Sequence, residues 1–66
     1  MRGNIIYTRD EESGHYGFIS SISYEDDNGP QYKLNVNPSR AFVFGQSDLI
    51  KATAELQRWG KMCYVF

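Results

Sequence analysis

The chain has a single cysteine, Cys63, so no disulfide forms within it. Stability rests on packing, and the residue reads as a reduced, partly buried thiol of a cytoplasmic protein. No apolar run approaches the roughly 20 residues that a membrane helix needs, so this domain is not expected to insert into a membrane. No signal-peptide pattern opens the chain and no segment repeats. Charge of neither sign dominates: seven Lys+Arg stand against eight Asp+Glu, a net −1. That argues against a partner held by bulk charge alone. One histidine, His15, and one cysteine supply too few groups for a nucleophile, a base and its orienter. The chain therefore reads as a non-enzyme with no cofactor.

What it has is aromatics. They make up 15% of 66 residues, with five Tyr, four Phe and one Trp. A chain of this length is one domain, residues 1–66, with a thin core that large rings can fill. The informative stretch is Gly14-His15-Tyr16-Gly17-Phe18-Ile19. In a strand, alternation sets Tyr16 and Phe18 on one face. Such a pair packs a core in most small β proteins. Exposed, it offers each ring to one base of a single-stranded nucleic acid.

Gly3 to Arg9 has strand composition, with Ile5, Ile6, Tyr7 and Thr8. Asp10 to Gly14 is an acidic turn. Tyr16 to Tyr24 is a second strand, in which Gly17 marks a bulge or a close backbone approach. Asp27-Asn28-Gly29-Pro30 is a hairpin turn. Asp26-Asp27-Asn28-Gly29 has the look of a calcium loop but lacks its downstream acid, so the hairpin tip accounts for it. Gln31 to Val36 alternates, with Tyr32, Leu34 and Val36 on one face and Lys33 and Asn35 on the other. Ala41 to Phe44 is a short strand or the same strand resumed.

Ser47 to Trp59 reads as a helix capped by Ser47 and ended by Gly60, with a packing stripe of Leu49, Ala52, Leu56 and Trp59. Lys61 to Phe66 is a last strand, with Met62, Tyr64 and Phe66 on one side and Cys63 and Val65 on the other. The acids cluster as Asp10-Glu11-Glu12 and Glu25-Asp26-Asp27, at expected loop tips. Without those tips the remainder is mildly basic, with Arg2, Arg9, Lys33, Arg40, Lys51, Arg58 and Lys61.

Three blocks together resemble the cold-shock domain family, whose fold is a five-stranded OB-type barrel. Arg2-Gly3-Asn4-Ile5 with Tyr7 resembles its opening strand. Tyr16-Gly17-Phe18-Ile19 resembles the core of its first RNA-binding motif. Phe42-Val43-Phe44, followed by Ser47, Leu49, Leu56 and Gly60, resembles the second motif and the segment after it. The resemblance implies a mainly β fold: a small antiparallel barrel, partly open or lacking strand five, with an extended β2–β3 hairpin and a short helix before the last strand. It also implies single-stranded RNA or DNA as partner, with bases stacked on Tyr7, Tyr16, Phe18, Phe42 and Phe44. His15 would top that surface, and Arg9, Lys33 and Arg40 would supply charge beside it. Ile5, Ile19, Ala41 and Val43 would point inward.

The chain departs from the family in several places. Gly14 and His15 replace a basic residue and a glycine, and Ile6 stands where a lysine is usual. Strand three is either Tyr32 to Val36 or, better matched in spacing, Phe42 to Phe44. The absent fifth strand is the expectation for the excised N-terminal domain of a larger bacterial protein. In that case the C-terminal remainder of its own chain is a further partner; alternatively, the long hairpin or another subunit closes the open edge. The lost basic positions leave open an alternative, a degenerate OB-like domain that binds protein and no nucleic acid.

Overall fold

The structure is a computed structural model that describes residues 4–10, 13–25, 27 and 29–66. Expectations resting on Arg2, Gly3, Glu11, Glu12, Asp26 and Asn28 lie outside the described residues.

Four strands form one antiparallel open sheet. They are β1 (Ile6–Arg9), β2 (Tyr16–Ser23), β3 (Gln31–Asn35) and β4 (Met62–Val65), in spatial order β3-β2-β1-β4. One helix, α1 (Gln46–Arg58), precedes β4. β2 and β3 make the expected hairpin. Strand three is therefore Gln31–Asn35, and the preferred segment Phe42–Phe44 forms no strand. It contributes a single bridge, between Asn4 and Phe44.

The path from β3 to that bridge follows from side-chain chemistry. The Asn35 Oδ1 accepts from the Asn37 N–H at 2.9 Å, and the Asn37 Oδ1 accepts from the Ser39 N–H at 3.0 Å. These bonds wind Pro38–Arg40 into a 3-10 turn and end the strand. The Phe42 N–H then donates to the Ile19 carbonyl at 2.8 Å, which draws the segment back against the middle of β2.

One face of the sheet packs on α1. Ile6, Ile19, Phe44, Ala52 and Leu56 are fully buried between them, with Ile22, Tyr24, Tyr32, Leu34, Leu49 and Cys63 around the margin. Burying each large apolar side chain stabilises the fold by about 1.5–3 kcal/mol. The inward residues of β1 are Ile6 and Thr8. The expected inward Ile5 is only half-buried, and Val43 is exposed. Thr8, a buried polar residue, donates its hydroxyl to the Met62 carbonyl and so joins β1 to β4 through a side chain as well as the backbone.

Gly17 is a place of close approach. A Cβ there would lie 2.9 Å from the Asn35 carbonyl oxygen and 3.0 Å from its carbon, in a backbone at φ +151°. The bulge that Gly17 suggested lies farther on, where the β2–β3 register shifts between Ile19 and Ser21. The helix begins at Gly45, whose backbone occupies the cap position with no side-chain bond, while Ser47 lies within the first turn.

Candidate nucleic-acid interface

Strand pairing settles which side chains share the face turned away from α1. Tyr7 is paired with Phe18 on β2 and with Tyr64 on β4, and Phe18 is paired with Asn35 on β3. Directly paired residues project to the same side. Asn35, Phe18, Tyr7 and Tyr64 thus form one row across all four strands. A second row holds Tyr16, Arg9 and Met62. The rings touch. Tyr7 meets Phe18 edge-on with centroids 5.4 Å apart, Tyr7 meets Tyr64 at 6.1 Å, and Phe18 meets Phe66 at 6.1 Å. Tyr16, Tyr64, Met62 and Phe66 are exposed, and Tyr7 and Phe18 are half-buried by their neighbours. At the usual strand separation, the Phe18–Tyr7–Tyr64 row spans about 10 Å.

The only charges on the strands are positive. The strands read IYTR, YGFISSIS, QYKLN and MCYV, with no acid and two cations, Arg9 and Lys33. Arg9 lies within the second row, and Lys33 lies opposite Ser21 on the edge strand β3. Among the described residues, the acids are on loops and on α1.

Of the nine residues expected at the site, the structure brings Tyr7, Tyr16, Phe18 and Arg9 together on this face, with Lys33 at its β3 edge. Phe44 is not there. It is 1% exposed and is the largest side chain in the core. Phe42 is exposed but turned edge-on against Phe44, with centroids 4.7 Å apart. The physical reason is parity. Phe44 is the residue bridged to Asn4, which stands two residues before the inward Ile6, and paired residues project to the same side. Arg40 lies in the 3-10 turn, off the sheet. His15 precedes β2 and lines a groove at the end of the sheet.

Sequence reasoning missed Tyr64 and Phe66. Their alternation with Met62 was visible, but the pairing of β4 with β1, which carries them onto the aromatic face, was not. Among the described residues, no group of three or more His, Cys, Asp or Glu could hold a metal ion. None of the described helices is long and apolar enough to cross a membrane. Compared with known protein families, curated proteins and solved structures, the chain matches none of them.

Proposed function

We propose that this domain binds single-stranded RNA or DNA by stacking bases on the outer face of the sheet. The observation that carries the reading is the contiguous cluster Tyr7, Phe18, Tyr64 and Phe66 on a face that, among the described residues, no helix covers. Rings used only as packing belong between layers. Here the helix occupies the opposite side, and two of the four rings are about half-exposed or more. Stacking on such rings is tolerant of base identity and works beside cations that track the backbone. Arg9 and Lys33 supply cations beside these rings. The finer fold belongs to the same reading: an OB-type barrel of the cold-shock kind, partly open, in a cytoplasmic protein with a reduced Cys63. The Asn4–Phe44 bridge and the Phe42–Ile19 hydrogen bond favour it, because they bring the 41–44 segment against the residues before β1 and the middle of β2.

The test is a titration of the intact chain with labelled oligo-dT and oligo-U at low salt. Tyr64→Ala and Phe66→Ala are each expected to weaken binding about 5- to 150-fold, the worth of one base–ring stack. Absence of binding by the parent at about 100 μM, or variants that bind as the parent does, would overturn the proposal.

A second reading is favoured by the edge strand β4. Met62, Tyr64, Val65 and Phe66 are all exposed, and MCYV carries no charge to protect the edge. Such an edge suits a protein partner that adds a strand. On that reading the oligonucleotides fail, and a partner protein protects the β4 amides from hydrogen exchange.

A further inference from the structure

The sheet face ends at Tyr16, and a groove of about 800 Å³ begins there. It lies between the β2–β3 hairpin and the C-terminal end of α1, and Asp10, His15, Tyr16, Tyr32, Trp59 and Lys61 give it its chemistry. Its volume is in the range of sites that enclose a small molecule.

Trp59 is the unusual wall. Its spacing from Leu56 suggested a place in the helix's packing stripe, yet it caps the helix and is 44% exposed. It is also firmly seated. Gly29 of the hairpin is buried beneath it, and a Cβ there would come within 2.9 Å of the indole Cδ2 and 3.1 Å of Cε2. One side of the indole therefore rests on bare backbone, while its exposed part lines the groove. Tyr32 adds a second, half-buried ring from β3. Lys61 lies 3.9 Å from Asp10, so the cation and the carboxylate largely offset one another. A bare phosphate gains little from such a pair. A planar ring with hydrogen-bonding edges gains two aromatic surfaces, with Gln31 and His15 at hand as polar partners.

We propose that this groove is a nucleobase site. Its relation to the sheet rests on the function proposed above: Tyr16 belongs to the outer row beside Arg9 and also lines the groove, so a strand stacked on the face turns its next base in past Tyr16. The occupant is that base, unstacked from its neighbours.

The experiment follows the emission of Trp59, the single tryptophan, in the intact chain. UMP is added first, then ribose 5-phosphate, then oligo-dT. Saturable quenching by UMP and none by ribose 5-phosphate is expected. Tyr32→Leu, which leaves the reporter in place, is expected to weaken UMP at least about 5-fold, the lower bound for one stack. Trp59→Leu is expected to weaken oligo-dT by a similar factor, whereas Trp59→Phe retains most of the affinity. Equal quenching by ribose 5-phosphate would overturn base recognition. Oligo-dT that binds, weakens with Tyr64→Ala and leaves both Trp59 emission and Trp59→Leu affinity unchanged would overturn the groove and leave the face standing. UMP that quenches Trp59 in a chain indifferent to oligo-dT would support the groove as a base site and overturn both the face and the strand as the source of its occupant.

Discussion

Phe42 and Phe44 are separated by one residue and touch each other, yet the structure gives them opposite roles, and substitution should separate them. At about 0.05–0.15 kcal/mol per residue, a 66-residue domain has roughly 3–10 kcal/mol of total stability. Phe44 is 1% exposed. Phe44→Ala removes a whole buried ring and leaves a cavity, at a cost of about 3–5 kcal/mol. That is between about a third and all of what holds the domain together. Phe42 is 44% exposed, so Phe42→Ala loses about half of a buried ring's transfer energy, near 1 kcal/mol. The edge-on contact with Phe44 adds about 0.5–1.5 kcal/mol.

With a urea dependence near 1 kcal/mol per molar for so small a chain, the midpoint should fall by about 3–5 M for Phe44→Ala and by about 2 M for Phe42→Ala. Circular dichroism at the helix band reads both. Phe44→Leu keeps most of the volume, stays folded and should bind oligo-dT within about twofold of the parent, because its ring never reaches the outer face. If Phe42→Ala proves the more destabilising, the inward placement of Phe44 is wrong. The same follows if Phe44→Leu keeps its stability and loses binding tenfold.

Gly17→Ala presses a methyl against the Asn35 backbone, which has no flexible side chain to move aside, and should cost about 1–3 kcal/mol in thermal or urea unfolding. An unchanged midpoint would show that β2 and β3 can separate there. Salt dependence offers a count of phosphate contacts. With Arg9 and Lys33 as the cations of the face, the log–log slope for oligo-dT should be about −1.4, and a slope steeper than about −3 would call for cations elsewhere. Tyr24 titrates above its ordinary value, because burial disfavours the phenolate and because Asp48 and Glu55 repel it. The folded state thus holds this proton more tightly than the unfolded chain. The resulting stability is present below about pH 10 and is lost as pH rises through the folded value. Tyr24→Phe should shrink the alkaline loss of stability, while keeping a ring under Lys51 Nζ, now 4.6 Å from the Tyr24 centroid. An alkaline limb identical to the parent's would refute the assignment.

Strand and helix existence was legible because the relevant signals are local. β-branched and aromatic runs mark β1, β2 and β4, the turn residues mark the hairpin, and apolar spacing marks α1. Ala52 and Leu56 are buried as that spacing requires. Facing was legible where alternation is sustained, as for Tyr16 and Phe18. It failed at Phe42-Val43-Phe44, because the parity there is set by one long-range bridge, from Phe44 to Asn4, and a one-residue slip exchanges inside for outside. Ser47 looked like the cap because its side chain can do the work. The chain instead turns at Gly45, where backbone geometry decides. The aromatic face was half visible. Tyr7 and the Tyr16–Phe18 pair could be named, but Tyr64 and Phe66 join them only through the long-range pairing of β4 with β1.

The irregularity in β2 bears on how this chain tolerates changes in length. Ile19 and Ile22 stand three residues apart, yet they pair with Leu34 and Tyr32, which stand two apart, and all four pack at the core or its margin. The surplus residue is absorbed at Ser20, whose hydroxyl donates to the Lys33 carbonyl at 3.2 Å. A chain lacking Ser20 would bring the two isoleucines into plain alternation without turning either one outward, losing that single bond. A deletion at Phe18 would instead rotate Tyr16 toward the helix. Within one eight-residue strand, then, there is a position where the reading frame of the pleat can lose a residue and still place the same side chains on the same faces.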